Sequence, residues 1–263
     1  MQEYYNKGIK DIIDEFPQVE KILDEYGIGC GPCNVGTCLL KDIVEIHNLS
    51  SQDEAVLFSK IAKVIYPDRD IKIPEVKRKE KPKEITYSPP INKLVQEHKI
   101  IKRWAALIPE VIANLNLDSE AGREIIVKGI DFIKNYADKY HHAKEEDILF
   151  KYFDENLDII KAMHTDHDTA RAYVKNVLIG IEERDENKVS ENLSAYRELL
   201  IEHIKKEDEI LYPWMDRTFS VTVVGELFAK FAEVDKQFSD NPKKQEEFIC
   251  ELETKFGSKE VKK

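Results

Sequence analysis

Apolar residues recur along most of this chain at intervals of three and four, the spacing that lines one face of an α-helix. The stripe is clearest in four long stretches. The first carries Ile91, Leu94, His98, Ile101, Ala105 and Ile108, with Pro109 near its end. The second, from about residue 119 to 153, runs through Ile126, Ile130, Ile133, Ala137, His141, Glu145 and Ile148. The third, from about 158 to 184, carries Ile160, Met163, His167, Ala170, Val174, Val177 and Ile181. The fourth, from about 186 to 216, carries Tyr196, Leu200, His203, Glu207, Ile210 and Trp214. Short connections make successive helices antiparallel, so residues 90–219 are expected to form an all-α, up-down four-helix bundle.

Residues 1–67 read as a separate small helical unit. A stripe of Ile9, Ile12, Ile13 and Phe16 is interrupted at Pro17 and resumes through Val19, Ile22, Leu23 and Tyr26, with Gly27 placed to end it. A loop, GIGCGPCNVGTC, precedes a short helix with Leu39, Ile43 and Ile46. Ser51 and Glu54 read as a capping box for a last helix containing Val56, Leu57, Ile61 and Ile65. Residues 68–89, with Pro74, Pro82, Pro89 and the charge run KRKEKPKE, read as an extended linker. Residues 220–263 read as a helical extension, its last helix starting at Asn241 and Pro242.

Six polar residues sit where the stripes demand apolar ones: His98, His141, Glu145, His167, His203 and Glu207. In both His-x-x-x-Glu pairs imidazole and carboxylate share a helix face one turn apart. Each group lies about 8–12 residues from the same end of the bundle, or about 12–18 Å at 1.5 Å per residue. A lone histidine on an apolar stripe is more often a core residue, but buried glutamates without partners are costly. Six such groups in one layer therefore point to a dinuclear metal site. Imidazole with carboxylate suits iron, manganese or zinc, where an all-oxygen shell would suit magnesium or calcium. Such a centre is less anionic than a glutamate-rich one, which fits binding of a small diatomic ligand. His142 and Glu146 share the neighbouring face with Asp138 and Asn135, and read as solvent-side or supporting groups. Trp104, Tyr140 and Trp214 read as core or pocket lining.

The composition, 42% hydrophobic and 35% charged with 10 glycines and 10 prolines in 263 residues, suits a soluble, helix-rich protein. No apolar run approaches the ~20 residues of a membrane span. A net charge of −11 argues against nucleic acid or an anionic membrane as partner. The first residues, MQEYYNKGIKDIIDEF, lack the basic and apolar regions of a secretory signal, so the cytoplasm is expected. Cys30, Cys33 and Cys38, spaced Cys-x2-Cys-x4-Cys in a glycine-rich loop, suit an iron–sulfur cluster or a zinc ion; alternatively Cys30 and Cys33 form a redox dithiol. Cys250, among Phe248, Ile249 and Leu252, reads as structural.

The segments HHAKEEDILF, DHD and HIKKEDEILYP resemble the haemerythrin-like, or HHE cation-binding, family over about residues 90 to 219. The resemblance implies a non-haem di-iron centre in a four-helix bundle, ligated by His98, His141, Glu145, His167, His203 and Glu207, with both glutamates bridging. Oxygen-carrying members have a further histidine on the third helix, four residues from its partner; His164 here is three from His167. Asp208 sits five after His203, the spacing in those carriers, so the bridge is Glu207 or Asp208, with the stripe favouring Glu207. The implied function is binding of, or reaction with, O2, NO or peroxide, as a sensor or as a redox enzyme that scavenges them. A short cysteine-bearing unit before an HHE bundle is also similar in architecture to di-iron proteins that repair iron–sulfur clusters. Those carry a cysteine pair, a spacing from which this chain departs. An electron donor or an iron–sulfur protein would then be a partner, and metal storage is a further alternative.

Overall fold

The structure, a computed structural model, describes residues 2–28, 38–47, 49–74, 86–239 and 241–256. Among them are helices and no strand, with one isolated antiparallel bridge between Gly8 and Leu39. The all-α class follows the stripes. Two compact units form: Met1–Ile85 with Asn156–Ala162 and Ile210–Thr218, and Thr86–Glu155 with Met163–Glu209 and Phe219–Lys263.

In the first unit, α1 (Ile9–Glu15), α2 (Gln18–Asp24) and α3 (Ser51–Ile65) bury Ile9, Ile12, Val19, Leu23, Leu57 and Ile61 against one another. Pro17 separates α1 from α2, since its ring blocks continuation of the first helix but suits the start of the second. Gly27, with φ +69, closes α2: its N–H donates to the Asp24 carbonyl (2.9 Å) and that of Ile28 to Leu23 (3.1 Å). Glycine takes this left-handed conformation without a Cβ penalty. The cap of α3 differs from expectation by one residue. Ser50, in extended conformation, accepts from the Asp53 N–H at 3.1 Å, and Ser51 takes the first helical place. The Cys38 carbonyl accepts from the Ile9 N–H at 2.9 Å, tying the end of the cysteine loop to α1. Cys30, Cys33 and the linker's charge run lie outside the described residues.

The second unit contains α4 (Pro89–Ala113), α5 (Glu120–Phe132), α6 (Asp158–Glu183) from Met163 onward, α7 (Glu186–Lys206), α8 (Val221–Gln237) and α9 (Asn241–Phe256). Ser119 and Asp185 cap α5 and α7, accepting from the N–H groups of Gly122 (3.0 Å) and Lys188 (2.9 Å). The core joins Trp104 and Ile108 of α4, Ile126 and Ile130 of α5, Val177 of α6, Leu193 and Leu200 of α7, and Ile249 of α9. Gly129 lets α5 approach the indole of α4: a Cβ there would lie 2.3 Å from Trp104. Helices α8 and α9 both pack on α4, so the C-terminal residues complete this unit.

Winding changes where the polar residues lie. After α5 the chain is π-helical over Ile133–His142 and again over Glu145–Leu149; after α7 it is π-helical over Glu207–Leu211. Such i→i+5 turns are rare and concentrate at functional sites. A π-turn holds more residues than an α-turn, so neighbouring side chains diverge by less than the usual ~100°. Consecutive residues can then face the interior together.

Candidate metal centre

All six residues singled out in the stripes are buried in the second unit and converge. Donor atoms of His98, His141, Glu145 and Glu207 lie within 4.8 Å of one another, and so do those of His142, Glu145, His167 and His203. Glu145 belongs to both groups. Glu207 spans them: Oε2 is 3.2 Å from Nε2 of His98, and Oε1 is 3.2 Å from Nε2 of His203. Within each group two imidazoles meet nose to nose, Nε2 to Nε2 at 2.9 Å for His98 and His141 and 3.0 Å for His167 and His203.

What aims these nitrogens inward is a closed circuit of carboxylates behind them. His141 Nδ1 is 2.9 Å from Glu97 of α4, and His167 Nδ1 is 2.6 Å from Glu146 of the stretch after α5. His203 Nδ1 is 3.3 Å from Asp166 of α6, and His98 Nδ1 is 2.7 Å from Asp208 after α7. Each helix thus lends one acid, adjacent in sequence to its own donor residue, to the histidine of another. A carboxylate at Nδ1 fixes the tautomer that leaves Nε2 facing the centre. Each acid also accepts from a cation three or four residues beyond the histidine it holds. Those pairs are Glu97 with Lys144 (2.5 Å), Glu146 with Arg171 (2.8 Å), Asp166 with Lys206 (2.5 Å) and Asp208 with Lys102 (2.6 Å). Lys144 is fully buried, 3.3 Å from Asp235 and with its ammonium 3.2 Å from the Tyr140 ring centre.

The facing rings share their protons unequally. Burial works against the charged form of His203, but Glu207 and Asp166 override it and push the ring up to about 9. His98 is likewise raised, burial being outweighed by Asp208 and Glu207. Their partners move the other way: burial, with His98 close by, takes His141 down to about 3, and burial with His142 and His203 holds His167 well below the usual range. Glu207 stays ionised despite its burial because His203 and His98 hold it well below the usual carboxylate range. Each nitrogen pair therefore closes on one positive particle, and a metal ion is the alternative to the proton. Two nitrogens on ~2.1 Å metal bonds at a right angle stand roughly 3 Å apart, as these do. Four imidazoles and two shared carboxylates fit a pair of borderline divalent ions.

Of the residues whose role was open, Asp208 stands behind His98 and Glu207 faces inward. His164 joins neither donor group; its side chain is about one-third exposed, edge-on to Phe150 and 3.9 Å from Glu155. Glu146 supports a histidine, as its face suggests. His142 does not face solvent, because the π-wound turn carries it inward beside His141. Periodicity of 3.6 placed it outside; the supporting acids were visible as Asp or Glu next to a donor residue, with Lys or Arg three or four places beyond the histidine.

A bundle of long helices that directs two such groups into its interior defines a metal-binding helical protein. Residues 89–215 match the Hemerythrin HHE cation binding domain, and this region of the chain is a haemerythrin HHE domain. The chain is also 20% identical over 147 residues to an uncharacterized protein of Mycobacterium bovis and to uncharacterized proteins from two strains of Mycobacterium tuberculosis. The match covers 52% of this chain and 58% of each relative. No solved structure matches the chain. No helix among the described residues is long and apolar enough to cross a membrane.

Proposed function

We propose that the bundle holds a non-haem di-iron centre that binds or reacts with O2, NO or peroxide, in a cytoplasmic protein of sensing or stress response. His98 and His141 hold one iron, His167 and His203 the other, and Glu145 and Glu207 bridge them. The observation that carries this reading is the shared position of the glutamates. Glu145 falls in both donor groups and Glu207 sets one oxygen toward each. Bound iron supplies a redox-active position where a diatomic molecule can attach. The protein's own part is to hold four imidazoles by their Nδ1 atoms, keep two anionic bridges dry, and neutralise the surrounding acids with Lys144, Arg171, Lys206 and Lys102. The cysteine-bearing unit, with Cys30, Cys33 and Cys38, would exchange electrons, hold a cluster or zinc, or engage an electron donor or iron–sulfur protein.

Metal and acid-labile sulfide analysis with Mössbauer spectroscopy on anaerobically purified protein tests the centre. Two irons per chain beyond any cluster are expected, and material without bound transition metal would refute it. With a reductant present, repeated consumption of O2 or peroxide would mark a scavenger, whereas a single turnover would mark a sensor.

A further inference from the structure

Three elements of the second unit leave a gap between them. Ala170, Val174 and Leu178 recur every four residues along one face of α6, opposite Ile133 of the π-wound stretch after α5. These apolar side chains wall a cavity of about 230 Å³, and Ala170 stands where a larger residue would fill it. The inner end is polar. Tyr196 of α7 and His142 line it and are 1% and 5% exposed. The Tyr196 hydroxyl and His142 Nδ1 are buried and find no hydrogen-bond partner among the described residues. The outer edge is cationic. Lys134 and Lys175 are exposed lining residues that pair with no acid among the described residues. Asp138, an acid of the lining, already accepts from Arg171 Nε at 2.9 Å. That edge is positive on a chain whose net charge is −11.

We infer that this cavity binds a small hydroxylated aromatic carboxylic acid, its carboxylate at Lys134 and Lys175 and its hydroxyl at Tyr196 and His142. The site needs no metal, so the inference stands apart from the di-iron reading. An apolar cavity of about 150 Å³ takes up benzene, so this one has room for such a ring and its substituents. Buried hydroxyls and ring nitrogens left unpaired are costly, so the inner end calls for a ligand atom that both donates and accepts. A hydroxyl does both. Water alone fits the middle poorly, because an ordered water needs two to four polar partners and Ile133, Ala170, Val174 and Leu178 offer none. The unpaired lysines select an anion for the end that meets solvent.

Calorimetric titration of the full chain with 4-hydroxybenzoate tests this, beside 4-hydroxybenzamide, which lacks the charge, and benzoate, which lacks the hydroxyl. The hydroxy acid should bind wild type with a Kd of about 1 mM or tighter. Its amide should bind about fivefold more weakly, and Lys134→Ala/Lys175→Ala should remove that difference. Tyr196→Phe should weaken the hydroxy acid about five- to tenfold and leave benzoate within about twofold of wild type. Without ligand it should melt no lower than wild type, because the hydroxyl it removes is unpartnered. Ala170→Leu, which fills the cavity, should abolish binding. The lysine and tyrosine variants preserve packing, so they decide the matter should Ala170→Leu fail to fold. No uptake by wild type at about 10 mM would overturn the inference and leave the cavity to water. Binding that survives in folded Ala170→Leu would overturn it by placing the acid elsewhere, at the metal centre for example. Affinities indifferent to the lysine and tyrosine variants would overturn the assigned contacts, and the ligand class with them.

Discussion

Replacing Glu97 with glutamine probes the circuit behind the centre. Glu97 is buried and faces two hydrogen-bond donors, the His141 ring at Nδ1 (2.9 Å) and the cationic Lys144 Nζ (2.5 Å). Burial resists its ionisation, but these partners hold it below the usual carboxylate range. Glu97→Gln keeps the shape and removes the charge, leaving the buried Lys144 with Asp235 at 3.3 Å. Breaking a buried pair by removing one partner costs about 3–5 kcal/mol; because Asp235 stays, about 2–3 kcal/mol is expected. At about 2–4 °C per kcal/mol for a unit of this size, the metal-free protein should melt roughly 5–10 °C lower at pH 7. The double variant Glu97→Gln/Lys144→Met should recover most of that loss, because no buried charge is left alone. Iron affinity at the His141 position should stay about 10–100-fold lower in both variants, since neither restores the acid at Nδ1. Circular-dichroism melts of the metal-free proteins and iron-binding titrations measure the two effects separately. A double variant that melts as low as the single one would show that the stranded lysine is not the source of the loss.

Metal binding should depend on pH through His203. Its ring sits at about 9, so at neutral pH a metal displaces its proton, and apparent affinity should rise about tenfold per pH unit from 6 to 8. Proton release measured during Zn(II) titration checks this, and a flat profile would contradict it. The same raised value stabilises the metal-free fold below pH ~6.5, and that contribution should fade as pH climbs through about 9. Glu207→Gln should lower occupancy of both positions by elemental analysis, whereas Asp208→Asn should weaken chiefly the His98 position, about 10–100-fold. Gly129→Ala should cost about 1–3 kcal/mol in a denaturant melt, since its Cβ would press on the Trp104 ring.

The helices and the six inward polar residues were legible because burial writes a period of three and four into the sequence. His141, Glu145, His203 and Glu207 stood out as charges on apolar stripes. His142 did not, because a π-turn leaves no mark in composition while it rotates the face; read with α-helical winding, the residue points away. Glu146 was legible as a supporting group from its face; the other acids belong to a repeated grammar: Glu97-His98 with Lys102, Asp166-His167 with Arg171, and His-x-x-Lys-Glu followed by an acid in both pairs. Which histidine each acid serves is a property of helix adjacency, which local sequence does not carry. Ser50 displaced Ser51 as the cap of α3 because adjacent serines offer the same oxygen and only backbone conformation decides between them.

The circuit of acids also acts as a proofreader of assembly. Sliding any one of the long helices by a single turn, about 5.4 Å, would take its histidine from the acid waiting on one neighbour and its own acid from the histidine on the other. Greasy side chains tolerate such slippage, since one leucine packs much like the next. Interlocked charges do not, so the bundle's alignment is checked before any metal arrives.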